Sequence, residues 1–343
     1  MSDSISQSSL TNLGKNEKAM TKSDGTKILI GGGGGYIGSS LVPALLEHGY
    51  HVSVVDFLWF GNHLPDQVEV KRQDLFDLKR EQMEGFDVFI FLAGLSNDPM
   101  AEFSPSRNFV YNAALPAYLA YTAKQAGVKR YIYASSCSVY GYTENNLYDE
   151  DSPVTCGYPY GISKLQGERG VFQIQDDDFS VIALRQGTVG GHSPRMRFDL
   201  IVNTMFRTAL ATGKITINNP AIWRPLCDIR DIVSAYLRSV QADPGLSGIF
   251  NIAGGNFTVG EVADLVKMEV ERLAGTRVAL EMKNVQDYRN YKVSIQKAEN
   301  NLGFKPIFSI QDTVEDLFRH TNLYGDFEAD EFYNIRTFRK IQW

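Results

Sequence analysis

Short apolar runs alternate along the chain with longer stretches whose apolar residues recur every three or four positions. Lys27 to Ile30 predicts a short buried strand, and the stretch from about Tyr36 to His48 predicts an amphipathic helix. His51 to Val55, Val68 to Lys71, Asp87 to Leu92 and Arg130 to Ala134 predict four more strands, with Val181 to Leu184 as a sixth. Long helices are predicted from about Ser104 to Ala126 and from about Tyr158 to Gln173. Apolar strands alternating with amphipathic helices imply an α/β fold built on a doubly wound parallel sheet. Beyond about Gly187 the rhythm loosens into helices near 198–212 and 258–273 and short strands such as Ile215 to Ile217 and Gly248 to Ile252. The chain therefore reads as an N-terminal tail (1–26), a sheet domain (27–187), a smaller C-terminal α/β lid (188–325) with some chain crossing back, and an aromatic, acidic extension (326–343). No repeat is apparent, and the pattern assigns no function to the extension.

Composition narrows the possibilities. The chain has 343 residues, 43% of them apolar, enough for a sizeable buried core. A formal net charge of −6 and basic runs no longer than Lys71-Arg72 or Lys129-Arg130 argue against nucleic acid as the ligand. An anionic small molecule, met locally, stays possible. The 3 cysteines, Cys137, Cys156 and Cys227, lack the close spacing of a zinc or redox motif, so no metal is expected and a reduced, cytoplasmic setting fits. The first 26 residues, rich in Ser, Asn, Lys and Thr, have no apolar core and read as a flexible tail rather than a signal peptide. No apolar run approaches membrane-spanning length, so no membrane partner is expected.

Five glycines, Gly31 to Gly35, lead into Tyr36-Ile37-Gly38. Gly32-x-x-Gly35-x-x-Gly38 follows a predicted strand and opens a predicted helix, the context of a dinucleotide-binding turn in a Rossmann sheet. Glycines there permit the tight turn and let backbone approach a pyrophosphate at the helix N-terminus. A purely structural turn is the alternative. Asp56, ending the second strand, can accept hydrogen bonds from both ribose hydroxyls and would repel a 2′-phosphate, which favours NAD over NADP; otherwise it is a turn carboxylate. Asp74 and Leu75 can hold the adenine, or Asp74 can be a helix cap. Ala93 and Gly94 are small enough for a cofactor to lie against backbone. Asn112 is a cofactor candidate inside a long helix, with a surface amide as the alternative.

Tyr160 and Lys164 stand four apart, hence on one helix face. Opposite charges about 4 Å apart attract by roughly 4 kcal/mol at an effective dielectric of about 20. Since about 1.4 kcal/mol is one pKa unit, a lysine beside the phenol could bring it from about 10 toward 7, where it can act as a base. Ser135-Ser136-Cys137-Ser138-Val139-Tyr140-Gly141 follows the fifth strand, at the sheet edge where such folds bind ligands. Ser136 is the candidate partner of Tyr160 on a substrate oxygen, and Cys137 reads as a packing residue.

Together these motifs resemble the extended short-chain dehydrogenases/reductases of the NAD-dependent epimerase/dehydratase family, over about Lys27 to Tyr324. The resemblance implies a Rossmann domain with a nucleotide-sugar-binding lid, NAD as cofactor, and Ser136, Tyr160 and Lys164 as catalytic residues. Its cofactor set falls on Gly32, Gly35, Tyr36, Ile37, Gly38, Asp56, Asp74, Leu75, Ala93, Gly94, Asn112, Ser135, Tyr160 and Lys164. Its substrate set falls on Ser96, Thr188, Arg195, Arg197, Arg224 and Arg289. Thr188 replaces a usual asparagine in Arg185-Gln186-Gly187-Thr188-Val189-Gly190-Gly191, and Gly31 stands where relatives carry threonine. Arg224 and Arg289 suit a pyrophosphate through their planar donors. Arg195 and Arg197, in a segment resembling the sugar 4-epimerase and 4-dehydrogenase branch, could instead lie on a solvated helix face. Cys137 and Ser138 replace the Asp-Glu pair of the family's 4,6-dehydratases, which disfavours dehydration. The implied activity is oxidation of a sugar hydroxyl at C4 of a UDP- or GDP-linked sugar, with re-reduction to the epimer. The alternatives are a 4-dehydrogenase or 4-ketoreductase that releases its product, and a non-catalytic NAD-binding sensor or scaffold. The two long helices further imply a homodimer through a four-helix interface.

Overall fold

The computed structural model describes residues 25–283 and 289–341. The tail assigned to 1–26 thus lies outside the described residues up to position 24, as do Asp287 and Tyr288. Seven parallel strands form the main sheet: β1 (Lys27–Gly31), β2 (His51–Asp56), β3 (Glu69–Arg72), β4 (Val88–Phe91), β5 (Arg130–Ser136), β6 (Ser180–Gln186) and β7 (Gly248–Ile252). Their spatial order is β7-β6-β5-β4-β1-β2-β3, so the order reverses between β1 and β4. That reversal is the point at which a doubly wound sheet opens a crevice. The central strands β4, β5 and β6 are buried along their whole length, which explains their continuous apolar runs.

Local chemistry accounts for the departures from the predicted bounds. The first helix begins at Gly38 rather than Tyr36 and runs to Glu47, because residues 32–37 stay in the glycine turn. The helix expected over 104–126 is three segments, Pro105–Phe109, a π turn Val110–Ala114, and Leu115–Gln125. Pro116 has no N–H for the Asn112 carbonyl four residues back, and the Tyr133 hydroxyl donates to that carbonyl at 3.1 Å instead. Gly248–Ile252 forms where predicted but as the seventh strand of the main sheet, not as part of the lid. The helix leading to it, Ile229–Gln241, was absent from the sequence reading; Asp228 caps it by accepting the Arg230 N–H at 2.8 Å.

The lid carries a three-stranded sheet (Thr188–Gly190, Trp223–Asp228, Gly255–Thr258) and two strand pairs. It is latched to the glycine turn. The Tyr36 hydroxyl donates to Gly191 O at 2.6 Å, and Ser193 donates to Tyr36 O at 2.7 Å. Next to this latch the rings of His192 and His320 stack at 3.9 Å, and His192 Nδ1 hydrogen-bonds the Tyr324 hydroxyl at 3.1 Å. Burial, then the neighbouring His320, lowers the His192 pKa to about 4. Under the sheet edge, Glu168 forms a two-oxygen pair with Arg185 at 2.7 and 2.9 Å and also accepts the Ser135 hydroxyl at 2.7 Å. Both charges are buried, at 1% and 3% exposure.

Two stability measurements follow. Glu168→Gln leaves the Arg185 guanidinium buried without its counter-ion, and urea denaturation should show a loss of about 3–5 kcal/mol. For His192 the folded pKa lies below the unfolded value of 6.5, so the unfolded chain binds more protons between about pH 4 and 6.5 and stability falls with acidification across that window. Urea midpoints at stepped pH should show wild type losing about 2 kcal/mol more than His192→Gln between pH 6.5 and 4.

Candidate functional site

A cleft of about 510 Å³ opens at the C-terminal ends of β1, β2, β4, β5 and β6. Every candidate residue except Asn112 lines it. Gly32 has a positive φ of 85°, and a Cβ there would sit 2.4 Å from Ala93 N; a Cβ at Gly38 would sit 2.2 Å from Gly33 O. Neither position admits another residue without moving backbone. At Gly35 the nearest atom to an added Cβ is Gly32 O at 3.5 Å, so this glycine keeps cleft space clear rather than relieving a clash. Helix Gly38–Glu47 has no acidic residue in its first turn, so its N-terminal field stays open to an anion. A bare backbone cradle under a helix N-terminus fits a dinucleotide pyrophosphate.

Asp56 accepts the N–H groups of Gly34 at 2.9 Å and Leu58 at 2.7 Å. Each carboxylate oxygen keeps further acceptor capacity for a ribose hydroxyl. Burial raises its pKa, and those two N–H groups pull it back. Asp74 caps a short 3₁₀ turn by accepting the Phe76 N–H at 2.9 Å and receives the Tyr111 hydroxyl at 3.1 Å, so the cap reading is realised while the side chain still borders the cleft with Leu75.

Asn112 is buried, not a surface amide, and it acts one layer behind the cleft. Its Oδ1 accepts the Leu95 N–H at 2.9 Å, and its Nδ2 donates to Leu95 O at 2.9 Å and Asn108 Oδ1 at 2.8 Å. Gly94, at φ +128°, passes so close that a Cβ there would lie 2.1 Å from Asn112 Oδ1. The amide thus fixes the Ala93-Gly94-Leu95 wall.

Ser136, Tyr160 and Lys164 meet on the cleft floor. Ser136 lies near enough to the Tyr160 phenol to pull its pKa down. It also donates to Ser138 Oγ at 3.1 Å, and Ser138 Oγ lies 3.4 Å from the Tyr291 hydroxyl. Lys164 Nζ donates to Ala134 O at 2.9 Å. The electrostatics differ from the expectation drawn from spacing. Burial lowers the Lys164 pKa to about 8. Burial, followed by Asp98, pushes the Tyr160 phenol up, while Ser136 and Arg197 pull it down; Lys164 is not among these main influences. In the ligand-free protein the phenol is neutral, because desolvation outweighs the available donors. The Ser135 hydroxyl is committed to Glu168. Cys137, buried with its thiol pKa raised, donates to Arg185 O at 3.1 Å, in keeping with a packing role.

Arg195 and Arg197 are buried, which overturns the solvated-face alternative. Arg197 pairs with Asp199 through 2.8 and 3.1 Å contacts. Arg289 pairs with Asp98 at 2.5 Å, and Arg224 lies over the Tyr291 ring at 5.5 Å. Thr188 pairs with Leu226 and borders the cleft; Ser96 accepts the Asn334 amide at 2.6 Å. Sequence reasoning missed Ser138, Asp98, Tyr291, Asn334 and Ile335, all of which line the cleft. Ser138 was within reach, being two residues after Ser136 with the 3₁₀ turn between; the other four arrive by long-range folding.

Among the described residues no three His, Cys, Asp or Glu side chains could hold a metal ion, and no helix is long and apolar enough to cross a membrane. UDP-glucose 4-epimerase 3 of Oryza sativa subsp. japonica is 28% identical, across 89% of this chain and 92% of that protein. UDP-glucose 4-epimerase of Corynebacterium glutamicum is 23% identical, across 88% and 97%. The solved structure of MoeE5 in complex with UDP-glucose and NAD is 26% identical, covers 88% of this chain and 100% of that one, and superposes with a TM-score of 0.78. A UDP-glucuronic acid 4-epimerase from Bacillus cereus, at 22% identity and a TM-score of 0.76 over 87% and 100%, shares the fold. The model of the NAD dependent epimerase/dehydratase family matches residues 28–253, and the chain belongs to that family of NAD-dependent enzymes.

Proposed function

We propose that the protein epimerises a UDP-linked sugar at C4. The observation that carries this reading is that Ser136, Tyr160 and Lys164 line the floor of the same cleft whose wall is the glycine cradle. The names of the sequence relatives favour UDP over GDP. Gly32, Gly35, Gly38, Asp56, Ala93 and Gly94 would hold the dinucleotide. When bound in its oxidised form, the dinucleotide supplies a cationic ring that takes and returns hydride, so the sugar passes through a 4-keto form.

The chain's own work is with the proton. Tyr160 would take it from the C4 hydroxyl as its phenolate, the form that the bound cationic ring, Lys164 and Arg197 favour against the burial that otherwise keeps the phenol protonated, and Ser136 would hydrogen-bond the same substrate oxygen. Lys164, with a pKa of about 8, is mostly protonated near neutral pH and adds positive charge to a floor that burial keeps at low dielectric. Arg197, already lowering the phenol, acts in the same direction. Arg224 and Arg289 face the cleft where substrate phosphates would lie. Cys137 offers no acid or base beside Ser136, which argues against loss of water.

The protein is proposed to act as a homodimer through helices Leu115–Gln125 and Pro159–Phe172. Val110, Tyr118 and Tyr121 stand exposed near one face of the first helical run, an apolar stripe with no cover among the described residues.

Incubation with a UDP- and GDP-sugar panel, read by NADH absorbance and product stereochemistry, should show the C4 epimer of a UDP-sugar with little net NADH. Tyr160→Phe should lower turnover by at least about 10²-fold with NAD still bound; near-wild-type turnover would overturn the assignment. Accumulated NADH with released keto sugar would replace epimerisation by dehydrogenation. Light scattering at micromolar concentration should give a dimer, and Tyr118→Lys with Tyr121→Lys should give a monomer.

A further inference from the structure

The C-terminal residues 326–341 lie beyond the segment matched by the family model, yet they form part of the cleft. The segment starts on the lid, where Phe198 N donates to Phe332 O at 3.0 Å. It ends on the opposite side, where the buried Phe338 packs against Trp59 and Phe103 at centroid distances of 6.0 and 5.9 Å. Between these anchors Asn334 is buried at 6% exposure, and it makes two cross-chain hydrogen bonds. It donates to Ser96 Oγ at 2.6 Å and accepts from Arg195 Nη2.

Arg195 is held on every side but one. Its guanidinium lies 3.5 Å over the Phe60 ring, its backbone N–H donates to Ser39 Oγ at 3.2 Å, and Nη2 is taken by Asn334. Its Nε, fully buried, has no hydrogen-bond partner among the described residues, and the side chain lines the cleft at 2% exposure. Burial and the nearby Arg197 lower its pKa to about 9, whereas Asp199 and Asp56 raise it. Neither carboxylate hydrogen-bonds the orphan N–H. A buried donor with no acceptor costs about 1–3 kcal/mol, more when charged, so this guanidinium is under-satisfied by the protein alone and favours an anion at the part of it that lines the cleft.

We propose that Asn334 positions Arg195 so that its guanidinium meets a phosphate oxygen of a nucleotide bound in the cleft, making the C-terminal segment part of the binding site. The inference extends the proposed function and rests on the cleft being a nucleotide site. The phosphate can belong to the dinucleotide or to the nucleotide sugar, and both are tested by binding rather than turnover.

The wild-type protein, labelled with ¹⁵N-arginine, reports directly: the Arg195 Nε–H resonance, assigned by its loss in Arg195→Lys, should shift on saturation with NAD or with UDP. A shift with NAD alone assigns the dinucleotide, and one with UDP alone assigns the substrate. Calorimetry then separates positioning from packing. Asn334→Asp keeps an acceptor for Nη2 but neutralises the guanidinium, so the Kd for the assigned ligand should rise about tenfold, with Asn334→Leu weaker as well. A merely structural Asn334 would leave the Asp variant's Kd within twofold of wild type. That result, or an unmoved Arg195 resonance with both ligands bound, overturns the proposal. A wild-type protein that binds NAD and UDP and shifts the Arg195 resonance but turns over no UDP-sugar would count against the proposed activity and leave this inference standing.

Discussion

The site depends on how closely helix Pro159–Phe172 lies against the π turn at 110–114. A Cβ at Gly167 would fall 2.2 Å from Asn112 O and 2.5 Å from the Tyr133 hydroxyl, so the approach exists only because that side chain is missing. Ser163, on the same helix, donates to Asn108 Oδ1 at 3.1 Å, and Asn108 donates to Pro159 O at 2.8 Å. Side chains from both helical runs thus share one polar network, and every member is buried. Tyr160 and Lys164 are carried by this helix, and the Gly94 wall is held by Asn112. One contact therefore sets the distance between the acid-base pair and the surface on which a cofactor would rest. The carbonyl that Pro116 leaves without a donor is what Tyr133 ties to the sheet, so the π turn is itself part of the registration.

That registration has an electrostatic cost. Lowering Lys164 from 10.5 to about 8 corresponds to roughly 3 kcal/mol against the charged form. The same burial holds Tyr160 neutral. A dry floor strengthens every charge that enters it, so the arrangement is unfavourable when empty and selective when filled. Asp98 opposes phenol ionisation, yet it is paired with Arg289, a substrate-side candidate. A ligand phosphate competing for Arg289 would act on Asp98 and hence on the phenol. Binding and base strength are coupled through that pair.

Much of this was legible in the chain because it rests on local spacing. The Gly32, Gly35 and Gly38 turn, Asp56 at a strand end and the Tyr160–Lys164 pair each follow from neighbours a few residues apart. What spacing conceals is the environment. Four residues apart predicts a shared face, but not that burial would outweigh the Lys164 charge at the phenol. The alternating pattern of Gly248–Ile252 announces a strand but not which sheet it joins. For Arg195 and Arg197 the sequence left a solvated face open beside a phosphate-binding role, because charged residues usually stay in water; the fold buries both. Tyr291 and Asn334 bear no local signature, since neither residue type nor spacing marks them out and only the fold brings them to the cleft.

One buried apolar cluster runs through both the sheet domain and the C-terminal part, and polar contacts at the glycine turn add to it. Tyr36 shows what this implies. Its backbone carbonyl takes Ser193, its hydroxyl serves Gly191 and receives Asn203 at 3.2 Å, and its ring borders the cleft. A dinucleotide settling into the turn must therefore bear on residues that also hold the lid. The loop that follows, from Gly191 to Arg197, carries two guanidiniums into the same space. That loop is anchored at the glycine turn through Gly191 and Ser193. Separating the loop from the turn would break buried hydrogen bonds and leave their donors unsatisfied, so the two are held as one unit.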